Sequence, residues 1–160
     1  MKRLIALALV LGLPALAGIP PRVNGRVVYQ DVVEQAGTPA ELQARAEAWA
    51  RANLDPTTVK VADGSVVGRG QFAVPFHMGL PLIIRFSATV EARDGRYRYT
   101  FTDFTAAGVS QPQQPPMEEM WTKDGSVRFG GGKGLEGADK GTLTLIAGLK
   151  KAMAQPAASW

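Results

Sequence analysis

His77 is the only histidine in the 160-residue chain, so any Ser/His/acid triad or histidine-based metal site would have to use it. It stands in His77-Met78-Gly79 between two apolar runs, a setting that predicts a three-residue hairpin loop with Gly79 in a left-handed position. Nothing beside it repeats the spacing that metal ligation needs, and an exposed loop histidine is the expectation. The five serines include no Gly-x-Ser-x-Gly elbow. Cysteine is absent, which excludes disulfides, thiolate zinc sites and a lipid-modified cysteine anchor. Gly130-Gly131-Gly132-Lys133-Gly134 invites comparison with a phosphate loop. The opening glycine of that motif would fall on Val127, however, and its Ser/Thr on Gly134. A glycine-rich loop remains, with at most a backbone anion nest. No catalytic residue, cofactor or metal is expected from these patterns.

Two further chemistries need only a pair or a surface. Carboxylates can work in pairs that meet in space rather than in sequence. Strand parity places Asp103 with the apolar set, opposite Phe86, where burial would raise its pKa; Asp31 is a companion if the first strand's parity agrees. The alternative is an acid at a strand end that reaches solvent. The larger group is cationic and hydroxylated. Arg85, Arg93, Arg96 and Arg98 share a face with Ser87, Thr89, Thr100 and Thr102, a surface suited to acidic or hydroxyl-bearing partners or simply a solvated sheet face. Met117, Met120 and Trp121 follow a Gln/Pro stretch and form either an adaptable contact patch or, the favoured choice, extra core. The binding candidates are Arg85, Arg96, Arg98, Thr100 and Trp121.

The elements that must position these residues are strands. Leu82, Ile84, Phe86, Ala88, Val90 and Ala92 alternate with Ile83, Arg85, Ser87, Thr89, Glu91 and Arg93. Asp94-Gly95 is a strong two-residue hairpin signal, after which Tyr97, Tyr99 and Phe101 alternate with Arg96, Arg98, Thr100 and Thr102. That turn sets Ala92 opposite Tyr97, Val90 opposite Tyr99 and Ala88 opposite Phe101 on one face. On the other it sets Glu91 opposite Arg98 and Thr89 opposite Thr100, each a favourable cross-strand pair. Across His77-Met78-Gly79 the same geometry brings Gly70 to Phe86 and Gly68 to Ala88, where glycine makes room for a bulky neighbour or a packed helix.

Upstream, residues 18–24 read as a Pro-containing lead-in and residues 26–35 as one strand. Thr38-Pro39-Ala40-Glu41 is a capping box with proline at the first helical position. The helix it opens puts Leu42, Ala46, Trp49 and Ala50 on one face, and Asp55-Pro56 stops it. Val59–Ala62 is a short strand closed by a turn at Asp63-Gly64-Ser65. Downstream, residues 105–137 read as loop and irregular structure, with a small hairpin around Lys123-Asp124-Gly125. Residues 139–154 read as a second helix, with Leu143, Ile146, Ala147, Lys150 and Met153 at helical spacing.

Met1-Lys2-Arg3, the apolar run Leu4–Leu13, the break at Pro14 and the small-x-small triplet Ala15-Leu16-Ala17 have the order of a secretory signal peptide. Cleavage is expected after Ala17, leaving one domain over residues 18–160, exported to the periplasm or medium. The run is too short and wrongly flanked for a membrane span, and no second apolar segment is long enough for one. Lys2 and Arg3 leave with the signal, so sixteen cationic side chains face fourteen acidic ones, a net charge of +2. No stripe of Lys or Arg tracks phosphates, and nucleic acid is not an expected partner.

The order strand, helix, four strands, loop, helix resembles a family of small exported bacterial domains of unknown function with a TBP-like fold. The residues that carry the resemblance are Gly25-Arg26-Val27-Val28-Tyr29, Leu42 with Arg45-Ala46 and Trp49, and Gly64-Ser65-Val66-Val67-Gly68-Arg69-Gly70. Asp94-Gly95-Arg96-Tyr97-Arg98-Tyr99, Thr102-Asp103-Phe104, and Leu145-Ile146 with Leu149-Lys150-Lys151-Ala152-Met153 complete it. The resemblance implies a curved antiparallel sheet with two helices on its apolar side, and brings no activity or catalytic residues. The expected fold is two-layer α+β, a five-stranded antiparallel sheet in the order β-α-β-β-β-β-α. The expected function is a non-enzymatic binding or adaptor domain of the cell envelope, contacting an envelope protein or polar ligand. The alternative is a small carboxylate-based acid/base enzyme acting outside the cytoplasm.

Overall fold

The computed structural model describes residues 18–156; the expected signal segment lies outside the described residues. Its frame is a five-stranded antiparallel sheet in the order β3-β7-β6-β5-β4. The strands are β3 (Tyr29–Glu34), β4 (Lys60–Ala62), β5 (Ser65–Pro75), β6 (Pro81–Arg93) and β7 (Arg96–Gly108). A separate two-stranded hairpin, β1 (Arg22–Val23) with β2 (Arg26–Val27), precedes them. Helices α1 (Pro39–Asn53) and α2 (Gly132–Ala154) cover one face. The fold class and element order of the sheet domain are as the sequence predicts.

The hairpin arithmetic holds. Arg93 pairs with Arg96, and the register runs without a break to Ser87 opposite Thr102. Gly70 lies opposite Phe86 and Gly68 opposite Ala88. A Cβ on Gly70 would sit 2.5 Å from the Phe86 ring and 2.9 Å from Leu54, so the absent side chain is what lets both fill that space. Thr38 caps α1 through the reciprocal bonds expected with Glu41, and Leu42, Ala46, Trp49 and Ala50 are all buried. Their burial, with a Phe86–Phe101–Phe104 ring cluster at centroid spacings of 5.5 and 5.8 Å, makes the core.

Four expectations need correction. The strand expected over 26–35 is two, because Asn24-Gly25, both at positive φ, closes a tight β1–β2 hairpin before the chain enters the sheet at Tyr29. The irregular segment expected over 105–137 is shorter at both ends. β7 runs on to Gly108 and α2 begins at Gly132. The glycines that read as loop are helical because α2 lies tight on β5. A Cβ on Gly137 would be 2.9 Å from Val74 Cβ, and, within the expected helix, one on Gly141 would be 2.3 Å from Phe72. Close packing outweighs the ~1 kcal/mol propensity cost of each helical glycine. The buried face of α2 is correspondingly rotated: Leu135, Ala138, Thr142, Ile146, Leu149 and Met153 point inward, while Leu143 is exposed.

The fourth correction concerns Asp103. Between Ser87–Thr102 and Arg85–Thr105 the register slips by one residue, so Asp103 and Phe104 together face Phe86. Asp103 takes the bulge at φ +55°, and its side chain turns out to solvent. Phe104 takes the buried place that parity had given to the acid. A bulge inverts the parity of everything beyond it.

Candidate functional site

The open face of the sheet carries the outward residues of β5, β6 and β7. Two cross-strand rows define its most concave part: Arg69–Ser87–Thr102 and Gln71–Arg85–Thr105. A short 3-10 turn, Pro56–Thr58, walls it on the β5 side. The turn is fastened by the Arg69 backbone, whose carbonyl accepts the Asp55 N–H at 2.8 Å and whose N–H donates to Thr58 Oγ1 at 2.9 Å. Gln114, from the segment between β7 and α2, overhangs the opposite side. The resulting groove has a volume of about 940 Å³ and is lined mainly by Asp55, Arg69, Gln71, Arg85, Asp103 and Thr105.

Charge in the groove is unevenly satisfied. Asp103 is ion-paired with Arg26 at 2.8 Å, and both side chains are more than half exposed. Asp55 is held below the usual carboxylate range by the hydroxyl and N–H of Thr57, and stays ionised at the rim. Arg85 donates through Nε to Gln71 Oε1 at 3.1 Å and through Nη1 to Gln114 Oε1. Among the described residues, neither Arg85 nor Arg69 pairs with a carboxylate. Thr105 Oγ1 is buried without a hydrogen-bond partner among the described residues. Beyond this end, Met78, Leu80 and Val109 are exposed, giving the groove an apolar neighbour.

The sequence-predicted candidates divide into three places. Arg85 is in the groove. Arg96, Arg98 and Thr100 lie on the same face nearer the Asp94-Gly95 turn; seven residues of β7 at ~3.3 Å each, about 23 Å, separate Arg98 from Thr105. There Arg98 is bound to Glu91, with Nε and Nη2 both 2.7 Å from Oε2. Trp121 is core, as Met117 is; the Arg22 guanidinium covers its ring at 4.5 Å. His77 is exposed in its loop. Asp31 and Asp103 do not pair: Asp31 shares the helix-side parity of Tyr29 and Val33, whereas Asp103 faces the groove. The carboxylate reading thus loses the buried pair it needed. Among the described residues there is no group of three His, Cys, Asp or Glu side chains able to hold a metal. Sequence reasoning missed Arg69, Gln71 and Gln114. Arg69 and Gln71 carry the outward-parity signal of β5, but nothing local announces that Gln114 returns to Arg85.

Two solved structures share this arrangement. One is a TBP-like protein from Parabacteroides distasonis ATCC 8503, at TM-score 0.68 and 19% identity, covering 86% of this chain and 98% of that one. The other is a DUF4468 family protein from Bacteroides ovatus ATCC 8483, at TM-score 0.69 and 15% identity, covering 88% and 94%. The fold is TBP-like. The sequence resemblance had implied that architecture, and it is architecture alone that such identities carry. No protein-family model and no curated protein matches the sequence. In this TBP-like domain no helix among the described residues is long and apolar enough to cross a membrane.

Proposed function

We propose that this chain is an exported binding domain, non-enzymatic, which engages an acidic group of an envelope protein or polar ligand in the groove on its open sheet face. The observation that carries this reading is the state of Arg85. Its guanidinium is fixed in direction by two neutral amide oxygens, with no carboxylate partner among the described residues, and Arg69 lies in the same groove. A guanidinium so held offers an anion bidentate contacts stronger than those it makes to amides. The incoming carboxylate or phosphate displaces Gln114 and leaves Gln71 in place. Export rests on the signal-type order of residues 1–17, with cleavage after Ala17, to the periplasm or medium. Nucleic acid is not the partner in this reading, because the mature charge is only +2 and the groove also carries Asp55 and Asp103.

The test is a calorimetric titration of residues 18–160 with a hexaglutamate peptide at low salt. Binding is expected for the native chain, weakened by about tenfold or more in Arg85→Ala, the size of one charge-assisted bond of roughly 1.5–3 kcal/mol. The double variant Arg96→Glu/Arg98→Glu is expected to bind as the native chain does. Equal loss in both variants would reduce the effect to overall charge, and binding indifferent to Arg85 would remove the groove from consideration.

A further inference from the structure

Asp139 is the one charged side chain buried among the described residues, at 6% exposure. It projects from α2 toward the N-terminal segment. Its Oδ1 accepts the Tyr29 O–H at 2.7 Å, and its Oδ2 accepts the backbone N–H of Gly18 at 3.3 Å. Burial and this bond hold the Tyr29 phenol protonated, well above its ordinary range, so toward Asp139 it is a neutral donor. No Lys, Arg or His among the described residues forms an ion pair with Asp139. A buried carboxylate with two neutral donors and no counter-charge is costly in a fold that has placed it deliberately against one main-chain nitrogen.

That nitrogen belongs to the residue that follows the expected cleavage site. Hydrolysis of the Ala17–Gly18 peptide bond breaks its C–N bond. Water supplies hydroxyl to the Ala17 carbonyl carbon and a proton to the Gly18 nitrogen, which takes a second proton from solvent at neutral pH. A single amide donor becomes a cation with three donors at the same position. The position is itself fixed: Pro20 is buried, and the Pro21 carbonyl accepts the Val28 N–H at 3.2 Å.

We propose that removal of residues 1–17 completes the core, by delivering the α-ammonium of Gly18 as the counter-ion of buried Asp139. The cleavage position rests on the export reading; the docking rests on the Gly18–Asp139 geometry. Two further charged groups face this corner. Glu136 has its Cγ 3.6 Å from where a Gly18 Cβ would be, and Lys140 lines the same shallow cavity. Both act alike on the new ammonium in the native chain and in Asp139→Asn, so their effect drops out of the difference between the two gains.

The experiment compares chains beginning at Gly18 with chains beginning at Ala17, each in native form and as Asp139→Asn. Removing Ala17 is expected to raise the melting temperature of the native chain by about 3–5 °C more than that of Asp139→Asn. Pairing raises the folded pKa of the α-amine above its unfolded value, about 8. The gain is therefore complete below pH ~8 and lost as pH rises through the folded value. The Gly18 α-amine is also expected to acylate about tenfold more slowly than in Asp139→Asn. Should Asp139→Asn not fold, the two native chains and their pH dependence still decide. No gain on removing Ala17, or an equal gain in Asp139→Asn, overturns the docking. N-terminal sequencing of the exported protein reads the other half. A first residue other than Gly18 overturns delivery by cleavage, whereas Gly18 first with no stability gain leaves export standing and the docking refuted.

Discussion

Successive residues of β6 serve opposite purposes. Ile84, Phe86, Ala88 and Val90 are sealed beneath the helices; Arg85, Ser87, Thr89 and Glu91, between them, line the open face at intermediate exposure. On the covered face the largest contacts are aromatic, and all three tyrosines of the chain lie there with raised pKa values. On the open face the contacts are ion pairs, Arg98 with Glu91 and Arg26 with Asp103, and amide bonds at Arg85. The two faces are separated by a single peptide unit at every step, yet their energetic roles are distinct. Stability resides in the first, while the second tolerates substitution at little cost.

The comparison is sharpened most by two adjacent residues of β7. Phe101→Ala, fully buried in the ring cluster, is expected to cost about 3–5 kcal/mol in urea unfolding, whereas Thr100→Ala on the open face stays within about 0.5 kcal/mol. Similar losses at both would break the distinction. A smaller effect follows from alkaline titration. Burial, and then the charges of Tyr99 and Asp31, push Tyr97 up to about 12. Its unfolded form ionises near 10, so the folded state is favoured fully below pH ~10 and loses roughly 2–3 kcal/mol between pH 10 and 12. Phenolate absorbance is expected to stay absent at pH 10 and to appear together with unfolding; early titration of even one tyrosine would show the covered face to be leaky. The smallest effect belongs to the exposed Arg98–Glu91 pair. Arg98→Ala is expected to cost less than about 1 kcal/mol and to lose that cost in high salt.

Legibility followed the range of the information. The Asp94-Gly95 hairpin, the Thr38 capping box and the Gly70–Phe86 contact were readable because each is decided by residues close in sequence or by strict alternation. The bulge at Asp103 was not anticipated, although Phe104 and Ala106 resume the apolar rhythm one step late, which is its trace. Asn24-Gly25 has the composition of a tight turn, though Asn24 reads equally as the end of the lead-in. Gly134 and Gly137 read as loop because propensity is local, while their reason for being helical, Leu82, Phe76 and Val74 across the interface, is not. The groove was half visible: Arg85 by parity, its partner Gln114 only through the path of the chain in space.

The pairing of β3 with β7 also sets an order in time. Tyr29 faces Phe101 in the sheet and bonds Asp139, 110 residues downstream. At a synthesis rate of roughly 5–20 residues per second, the first long strand waits on the order of ten seconds for the partners that fix it. During that interval the β5–β6–β7 meander can form from neighbours, while the N-terminal strand has only its own hairpin. The chain therefore reaches its final form only after α2 has been made, a schedule that leaves it threadable throughout translation and commits it late.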